Sequence, residues 1–509
     1  MVPDLFHAVL RYWRAACAAC LLAGVVIAAE DAQEPLAESS SLPEAAPGPE
    51  AGRDDAAEQA GESAAPPADD PPAGPVREQI VTQEGEVIST EEVEEPDLAE
   101  LPLSNAARVR LDSARESVVL VRGFFGAAAS SAFHGTGFAV GEDGVIITNY
   151  HVVSEVVMHP RRYRLEYLTA DNRRGQLRVH AVDVRNDLAV VKPTEDLQLP
   201  PLRLRTDIPR QGARAYSIGF PLNLGLTITE GVANGVVASG FDQRIHYTGA
   251  INSGMSGGPA LDAGGTVYGV NVSVVSGRQL VGFVVPARHI APLVRRARAP
   301  LDEMRSPQQL RAMVAQQAQA FEATVLDPWP ADAASRTTAT QTVFGYQLPT
   351  RVGPAIECNT TGSSEARQGL QTETISCTGR TGVLLLLDLE VGHVSYQHQV
   401  LRAQRLHPLQ FAQRVNAIAA GHRRRGSAQH VAPFACRNAL VSLDGFDARV
   451  TTCARQYRLF SSLYDLAVTV TSINSTDSAA VSQLDLRGVG FESGMQFVRR
   501  FLGGMQWNP

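Results

Sequence analysis

Short apolar runs broken by turn residues dominate nearly 200 residues in the middle of the chain, from Ser104 to Arg298. Each run is short, is rich in Val and Ile, and is followed or preceded by Gly, Asn or Asp. This punctuation favours antiparallel strands, because Gly and Asx residues supply the tight turns between them. It predicts an all-β barrel or sandwich arrangement. The runs are Ser117–Val121, Thr136–Val140, Val145–Thr148, Asp187–Val191, Gly269–Val272 and Leu280–Pro286.

The segment before these strands, residues 30–103, has a very different composition. Between Glu30 and Glu100 there are 21 acidic and 2 basic residues, whereas the whole chain has a net charge of −8. Low hydrophobicity with charge of one sign cannot offset chain entropy, which predicts a disordered acidic linker. This linker acts either as a solvated spacer or as an acidic segment that attracts a basic partner. The only dense basic run is Arg423–Arg425, so no nucleic-acid binding is predicted.

Residues 1–29 have the pattern of an export signal. Arg11 and Arg14 precede an apolar run, Ala15–Ala29, that ends in small residues. As a helix this run spans about 22 Å, which is short of the roughly 30 Å hydrocarbon core. A cleaved signal peptide is therefore predicted, and an uncleaved membrane tether through residues 9–29 is the alternative. Both place the remainder outside the cytoplasm, with the bacterial periplasm as the expected compartment.

After Arg298 the pattern becomes mixed. Ser306, Pro307 and Gln309 form the start signal of a helix expected to end at Ala323. Residues 299–329 are therefore predicted to be a helical connector that carries the chain off the strand-rich region. Residues 330–509 are predicted to form a small α+β domain of unknown role. Its candidate strands are Val383–Leu387 and Leu466–Val470, and its candidate helices are Leu409–Ala420 and Gly494–Leu502.

The cysteines agree with export. Two of the six lie inside the signal segment, at Cys17 and Cys20. The other four allow three pairings, and bonds between sequence neighbours are favoured because they close short loops. Zinc is disfavoured because no pair has CxxC spacing or a histidine at ligand distance. The predicted disulfides are Cys358–Cys377 and Cys436–Cys453.

Three strings combine the residues that nucleophilic acyl transfer needs: Thr148–Val153, Asn186–Lys192 and Asn252–Pro259. A serine nucleophile requires a base, a carboxylate that holds that base, and donors for the oxyanion. The first three parts occur in the order His151, Asp187, Ser256. Glycines around the serine let the backbone N–H groups of Gly254 and Ser256 converge on one point.

Together with Gly135–Phe138, Ser217–Pro221 and Gly282–Pro286, these strings resemble the chymotrypsin-fold serine peptidases. Among these, residues 105–297 are most similar to the HtrA-type (DegP-like) periplasmic proteases. The resemblance implies a mainly β fold, with two perpendicular six-stranded barrels and an active site in the crevice between them. It implies a serine endopeptidase acting on protein or peptide substrates, with no cofactor and no metal. Residues 104–298 are the predicted protease domain.

The resemblance also places the pocket for the residue on the acyl side of the scissile bond. Its floor falls at Ala250, and its walls come from Val272, Ser273 and Gly282. None of these side chains is acidic, so an incoming Arg or Lys would be desolvated without a partner. A small or medium apolar residue is predicted at that position.

Some features depart from the HtrA pattern or lie outside the triad. Met255 stands where these enzymes usually carry Asn, and no PDZ-like stretch follows the protease. Trimer or cage assembly is therefore not carried over, and the oligomeric state is left open. Lys192, at the far end of the Asp187 strand, is assigned to a solvated strand end. His134 and His246 are assigned surface or packing roles.

Two rivals to the endopeptidase reading stay open. One is an envelope binding or chaperone protein of protease fold with vestigial catalysis. The other is an envelope-associated interaction protein in which the C-terminal domain does the main work and the protease processes one partner. Intact triad residues favour a working protease, with envelope protein processing or quality control as its expected role.

Overall fold

A computed structural model describes residues 80–81, 87–89, 111–141, 144–221, 224–239, 242–272, 282–298, 306–326, 340–350, 356–365, 369–379, 382–386, 389–420 and 429–508. The chain divides into two compact units, Met1–Pro102 and Leu103–Pro509. The described part of the first unit is an antiparallel pair of short strands, Ile80–Val81 and Val87–Ser89. The predicted signal segment and most of the predicted linker lie outside the described residues.

Six antiparallel strands close into a first barrel in the order β1-β2-β3-β6-β5-β4. Both faces of these strands are buried, with Val118 and Val119 at less than 1% exposure on β1 and Ile146 and Ile147 on β3 at 1% or less. The strands are β1 (Val118–Phe125), β2 (Phe133–Val140), β3 (Val145–Thr148), β4 (Tyr163–Thr169), β5 (Arg174–Asp183) and β6 (Leu188–Pro193).

A second barrel closes in the order β8-β9-β12-β11-β10-β7. One apolar cluster is shared by the two barrels, because Phe138 and Val190 of the first belong to it together with Ile218 and Val285 of the second. The predicted pair of six-stranded barrels is therefore confirmed. The strands are β7 (Ala213–Gly219), β8 (Thr227–Ser239), β9 (Asp242–Tyr247), β10 (Pro259–Asp262), β11 (Val267–Val272) and β12 (Gly282–Pro286).

Three helices accompany the barrels: α1 (Tyr150–Met158), α2 (Ile290–Arg298) and α3 (Pro307–Leu326). The predicted capping box at the start of α3 is formed, since Gln309 N donates to Ser306 Oγ at 3.3 Å and Ser306 N donates to Gln309 Oε1 at 2.7 Å. Helix α3 lies between the first barrel and the C-terminal strands. It packs against β5 and α1, because its apolar stripe, which includes Val314 and Phe321, is buried there and against later strands.

The C-terminal part contains a seven-stranded antiparallel sheet in the order β15-β16-β19-β23-β22-β21-β20. A hairpin, β17-β18, and a three-stranded sheet, β13-β14-β24, complete it together with helices α4 (Pro408–Ala420) and α5 (Phe491–Gly503). The mixture of strands and helices agrees with the predicted α+β class. The strands are β13 (Thr340–Val343), β14 (Tyr346–Pro349), β15 (Ile356–Glu365), β16 (Leu370–Gly379), β17 (Val383–Leu386), β18 (Leu389–Val391), β19 (His393–Ala403), β20 (Ala435–Ser442), β21 (Asp447–Gln456), β22 (Leu463–Ser472), β23 (Ser478–Gly490) and β24 (Gln506–Trp507).

Two disulfides join the outermost strands of this sheet to their neighbours. Cys358 lies directly opposite Cys377, and Cys436 lies directly opposite Cys453, with Cα–Cα distances of 4.1 and 4.0 Å. Both bonds have the predicted pairing. Among the described residues, no helix has the length and apolar character that a membrane crossing requires.

Candidate active site

The candidate base lies where the first barrel passes from strand to helix. Strand β3 ends at Thr148, Asn149 is the N-cap of α1, and His151 follows in the first turn of that helix. The Asn149 side chain makes no cap hydrogen bond to its own helix. Its Nδ2 instead donates to the backbone oxygen of Asp187 at 2.7 Å. Asn149 thus joins the segment before His151 to the segment that carries the candidate carboxylate.

Asp187 lies in the tight turn between β5 and β6. Its φ of +57° falls in the left-handed region, which Asp tolerates better than most residues. The turn is held by a bond from Asp187 N to Val184 O at 3.3 Å, and Asp183 Oδ1 accepts from Asn186 N at 3.1 Å. This geometry presents the Asp187 carboxylate at the start of β6.

The Asp187 carboxylate contacts His151 with both oxygens. His151 Nδ1 lies 2.7 Å from Asp187 Oδ2, and His151 N donates to Asp187 Oδ1 at 2.9 Å. Because a carboxylate only accepts, Nδ1 carries the proton and Nε2 of the neutral ring is left as the acceptor. Burial lowers the pKa of His151, but the charge of Asp187 and its hydrogen bond together raise that pKa above its ordinary value.

The loop that carries Ser256 is held by Thr136 of strand β2. Thr136 N donates to Ser256 O at 2.8 Å, and Thr136 Oγ1 donates to Gly254 O at 2.7 Å. Ser256 itself is only 3% exposed. The sequence marked Thr136 only as part of the Gly135–Phe138 match. Its role follows from contacts between residues 118 or more positions apart.

Glycines let the serine loop approach the histidine helix closely. A Cβ on Gly257 would lie 2.1 Å from Thr136 O and 2.9 Å from Asn149 N. A Cβ on Gly135 would lie 2.6 Å from Val152 Cγ2 and 3.1 Å from the Ser256 backbone oxygen. A larger residue at Gly257 would require a backbone shift, and one at Gly135 would require the Val152 side chain to move. The structure thereby brings the segments of His151, Asp187 and Ser256 together, although they are far apart in sequence.

The residues before Ser256 form a turn of a specific type. Met255 N donates to Asn252 O at 3.0 Å, and Gly254 has a φ of +96°. A positive φ at the third residue is the signature of a type II turn, which favours Gly. A side chain on Gly254 is also excluded, because its Cβ would lie 2.3 Å from Phe220 O. Met255 is fully buried, with its Cα 2.7 Å from where a Cβ on Gly219 would lie.

The predicted pocket residues lie on several segments. Ala250 is exposed, and its backbone oxygen accepts from Thr229 Oγ1 at 3.0 Å. Val272 is partly buried, whereas Ser273 lies outside the described residues. A Cβ on Gly282 would lie 2.9 Å from Ile251 Cδ1. Ile251, which the sequence reading did not single out, is therefore the side chain that faces Gly282.

His134, His246 and Lys192 lie in three different surroundings. His134 lies against the serine loop, because a Cβ on Gly254 would be 2.7 Å from its Nε2. Within the described residues this nitrogen has no hydrogen-bond partner. The His246 ring is tilted against the ring of Phe283, with centroids 6.3 Å apart. Lys192 is partly exposed near the end of β6.

Residues 135–270 match a family model described as "Trypsin-like peptidase domain". The chain is 35% identical over 165 residues to the "Probable periplasmic serine endoprotease DegP-like" of Chlamydia trachomatis, which covers 31% of this chain and 32% of that protein. It is 34% identical over 161 residues to the "Putative serine protease HhoB" of Synechocystis, covering 30% and 37%. It is 32% identical over 168 residues to "Serine protease HTRA1" of Xenopus laevis, covering 31% and 35%.

The chain thus spans about a third of the length of each of these relatives. Residues 135–270 contain the His151, Asp187 and Ser256 segments and most of the strands of the two closed barrels. This part of the chain is similar to a trypsin-like peptidase domain and to HtrA and DegP-like serine proteases.

Proposed function

We propose that this protein is a serine endopeptidase that hydrolyses peptide bonds in protein substrates. Ser256 is the nucleophile, His151 the general base and acid, and Asp187 the group that orients His151. The observation that carries this proposal is the double contact of the Asp187 carboxylate with the ring and backbone of His151. The packing of Gly257 against Asn149 supports it, because it holds the serine loop at the same helix end.

In the proposed reaction, His151 Nε2 takes the proton from Ser256 Oγ as that oxygen attacks the scissile carbonyl carbon. The backbone N–H groups of Gly254 and Ser256 stabilise the oxyanion, and the type II turn at Gly254 suits that role. His151 then protonates the leaving amine, and the C–N bond breaks to leave an acyl group on Ser256. Water, deprotonated by His151, hydrolyses this ester and restores the serine.

We place this activity outside the cytoplasm, in the bacterial periplasm, and in envelope protein processing or quality control. The two disulfides support an oxidising compartment. The name of the Chlamydia relative, a probable periplasmic serine endoprotease, supports the same compartment. The predicted signal or anchor at residues 1–29 agrees with export.

Fluorophosphonate labelling of the full chain tests the proposal. The wild-type protein should be labelled at one site, and Ser256→Ala should abolish labelling. Ser256→Ala and His151→Ala should each lower peptide hydrolysis by about 10⁴-fold, because triad members act as a unit. Ser217→Ala is the matched control, since Ser217 Oγ is buried in the same barrel without a hydrogen-bond partner in the described residues. A wild-type chain that stays unlabelled between about pH 6 and pH 9 would contradict the enzyme proposal and favour a binding or chaperone role.

A further inference from the structure

The residue next to the candidate base contacts the C-terminal part of the chain. Tyr150 is 1% exposed, and its hydroxyl donates to the backbone oxygen of Leu385 at 2.9 Å. The two residues are 235 positions apart, and the bond is buried. Helix α1, which begins at Tyr150, also packs against β17 and α3. The helix that carries His151 therefore lies between its own barrel and later elements of the chain.

A bulge in the β17-β18 hairpin is located at Leu385. Leu384 pairs with Glu390 and Leu386 pairs with Leu389, so Leu385 is the extra residue on its strand. A bulge leaves the extra residue outside the ladder and can redirect its groups. The Leu385 carbonyl can therefore accept a hydrogen bond from outside the hairpin, and the Tyr150 hydroxyl donates it.

The hairpin is firmly joined to the seven-stranded sheet. The hydroxyl of Tyr457, which follows β21, lies 2.9 Å from Glu390 O and 2.7 Å from Asp465 Oδ1, so these two acceptors compete for its one proton. A Cβ on Gly488 of β23 would lie 2.3 Å from Val391 Cγ1. The hairpin beneath Tyr150 is consequently packed against the seven-stranded sheet, with β18 in contact with β23.

A second connection reaches the candidate carboxylate. Gln317 of α3 donates from Nε2 to Val182 O at 2.9 Å and accepts from Val184 N at 2.8 Å, at the start of the turn that ends in Asp187. On the same helix, Phe321 contacts Gly392 of the turn between β18 and β19, where a Cβ would lie 2.6 Å from Phe321 Cδ1. One helix thus bridges the Asp187 turn and the C-terminal sheet.

We propose that the C-terminal part of the chain is a built-in support for the active site and that Tyr150 is a positioning residue, which holds His151 through the Leu385 carbonyl. This inference rests on the proposed peptidase function. Burial raises the pKa of Tyr150 well above its ordinary value, and the charges of Asp187 and Glu155 raise it further. The hydroxyl therefore stays protonated, and remains a donor, across the working pH range. Loss of the bond releases the N-terminal end of α1 and leaves the buried Leu385 carbonyl without a hydrogen-bond donor.

Tyr150→Phe in the full chain removes only this hydroxyl. We expect kcat per titrated active site to fall about fivefold to tenfold, the size of one net hydrogen bond, with KM changed less than about twofold. Tyr268→Phe is the matched control, because Tyr268 is equally buried but its hydroxyl has no hydrogen-bond partner among the described residues. Titrating sites with a fluorophosphonate corrects for any unfolded fraction. Equal kcat in the Tyr150→Phe and Tyr268→Phe variants would overturn the inference.

A spectroscopic signal separates positioning from general stability. The proton on His151 Nδ1, bonded to Asp187, should give a low-field NMR signal that disappears in His151→Ala. We expect Tyr150→Phe to shift or broaden this signal, whereas Tyr268→Phe leaves it unchanged. The signal needs no turnover, so it tests the inference even in a chain that fails the labelling test of the proposed function. An unchanged signal in Tyr150→Phe contradicts the positioning role.

Gln317→Leu is the second variant, in case Tyr150→Phe does not fold. It removes both bonds to the backbone before Asp187, and we expect a loss of kcat of about fivefold or more. Gln308→Leu, an exposed change on the same helix, is its control. A Gln317→Leu enzyme with the kcat and NMR signal of the control would show that the C-terminal part does not support the site.

Discussion

The double barrel and the seven-stranded sheet are both antiparallel, but they differ in whether they have edge strands. Each barrel closes on itself, so no outer strand is left unpaired among its described strands. The C-terminal sheet stays open, and its outermost strands are β15 and β20. Strand β20 is largely exposed along its length. Each outermost strand is linked to its inner neighbour by a disulfide, Cys358–Cys377 at one end and Cys436–Cys453 at the other.

The difference separates two sources of stability. The barrels share one apolar cluster, to which residues of both contribute. Open edges cannot bury as much apolar surface, so covalent links substitute for it there. The following four experiments test whether catalysis depends on the barrels and whether the disulfides stabilise only the edges of the C-terminal sheet.

The largest effect should come from the carboxylate in the first barrel. Asp187→Asn should lower kcat by about 10⁴-fold, because the amide no longer holds the His151 tautomer. Asp187 also raises the pKa of His151, so the acid limb of wild-type kcat/KM should lie above pH 6.5, the ordinary histidine value. The base must be neutral, so activity is lost as pH falls through that raised pKa. In Asp187→Asn the limb should move to lower pH.

Asp171→Asn is the control for this change, because Asp171 is an exposed carboxylate of the same barrel. A pH profile with its acid limb below pH 6.5 in the wild-type enzyme would contradict the assigned His151–Asp187 pair.

Removal of one disulfide should lower the free energy of unfolding by about 3 kcal/mol, from loop closure over sequence separations of 19 and 17 residues. The test compares Cys436→Ser/Cys453→Ser with Cys358→Ser/Cys377→Ser by denaturant unfolding. The fluorophosphonate labelling rate per folded site should stay unchanged, because neither bond lies in a barrel. Peptide mapping that links Cys358 to Cys436 or Cys453 would refute the pairing.

A smaller effect concerns the residue on the acyl side of the cut. Peptides with Val, Ala or Leu there should be cleaved about tenfold to 100-fold better than peptides with Arg or Lys, because an unpaired buried charge is costly. The described neighbours of Gly282 include Ile251, which agrees with an apolar pocket. A peptide library measures the preference. Dominant cleavage after Arg or Lys would overturn this assignment.

The smallest effect should follow from changing the N-terminus. Met255 is fully buried and uncharged, so it offers no partner for a buried α-amino group. Chains that begin at residue 85, 95 or 105 should therefore have kcat/KM values within about twofold of one another. If only chains with one defined N-terminus are active, activation depends on proteolytic processing.

Much of the fold was predictable from short-range chemistry. The capping box of Ser306 and Gln309 involves atoms within one helical turn, so local sequence was enough to place the start of α3. The strand runs and turn residues of the barrels were equally local signals. The disulfide pairing followed from short loops, and each loop is a hairpin that places its two cysteines directly opposite one another.

Several features of the site had no local signal. Asn149 has the residue type of a helix cap, but its side chain binds Asp187 instead. The neighbours of α3 had no local signal either, because helix propensity does not say which elements will bury its apolar stripe.

The amino-acid sequence alone determined the class of strands, the ordered His151, Asp187 and Ser256 strings, and the cysteine pairs. These depend on residue type, spacing and loop length, which are properties of neighbouring residues. The bond from Tyr150 to Leu385 and the strand order of the C-terminal sheet were decided only when the chain had folded. Such contacts join residues far apart in sequence, 94 positions for His393 and Arg487 and 235 for Tyr150 and Leu385, and many packings satisfy the same local preferences until burial selects one.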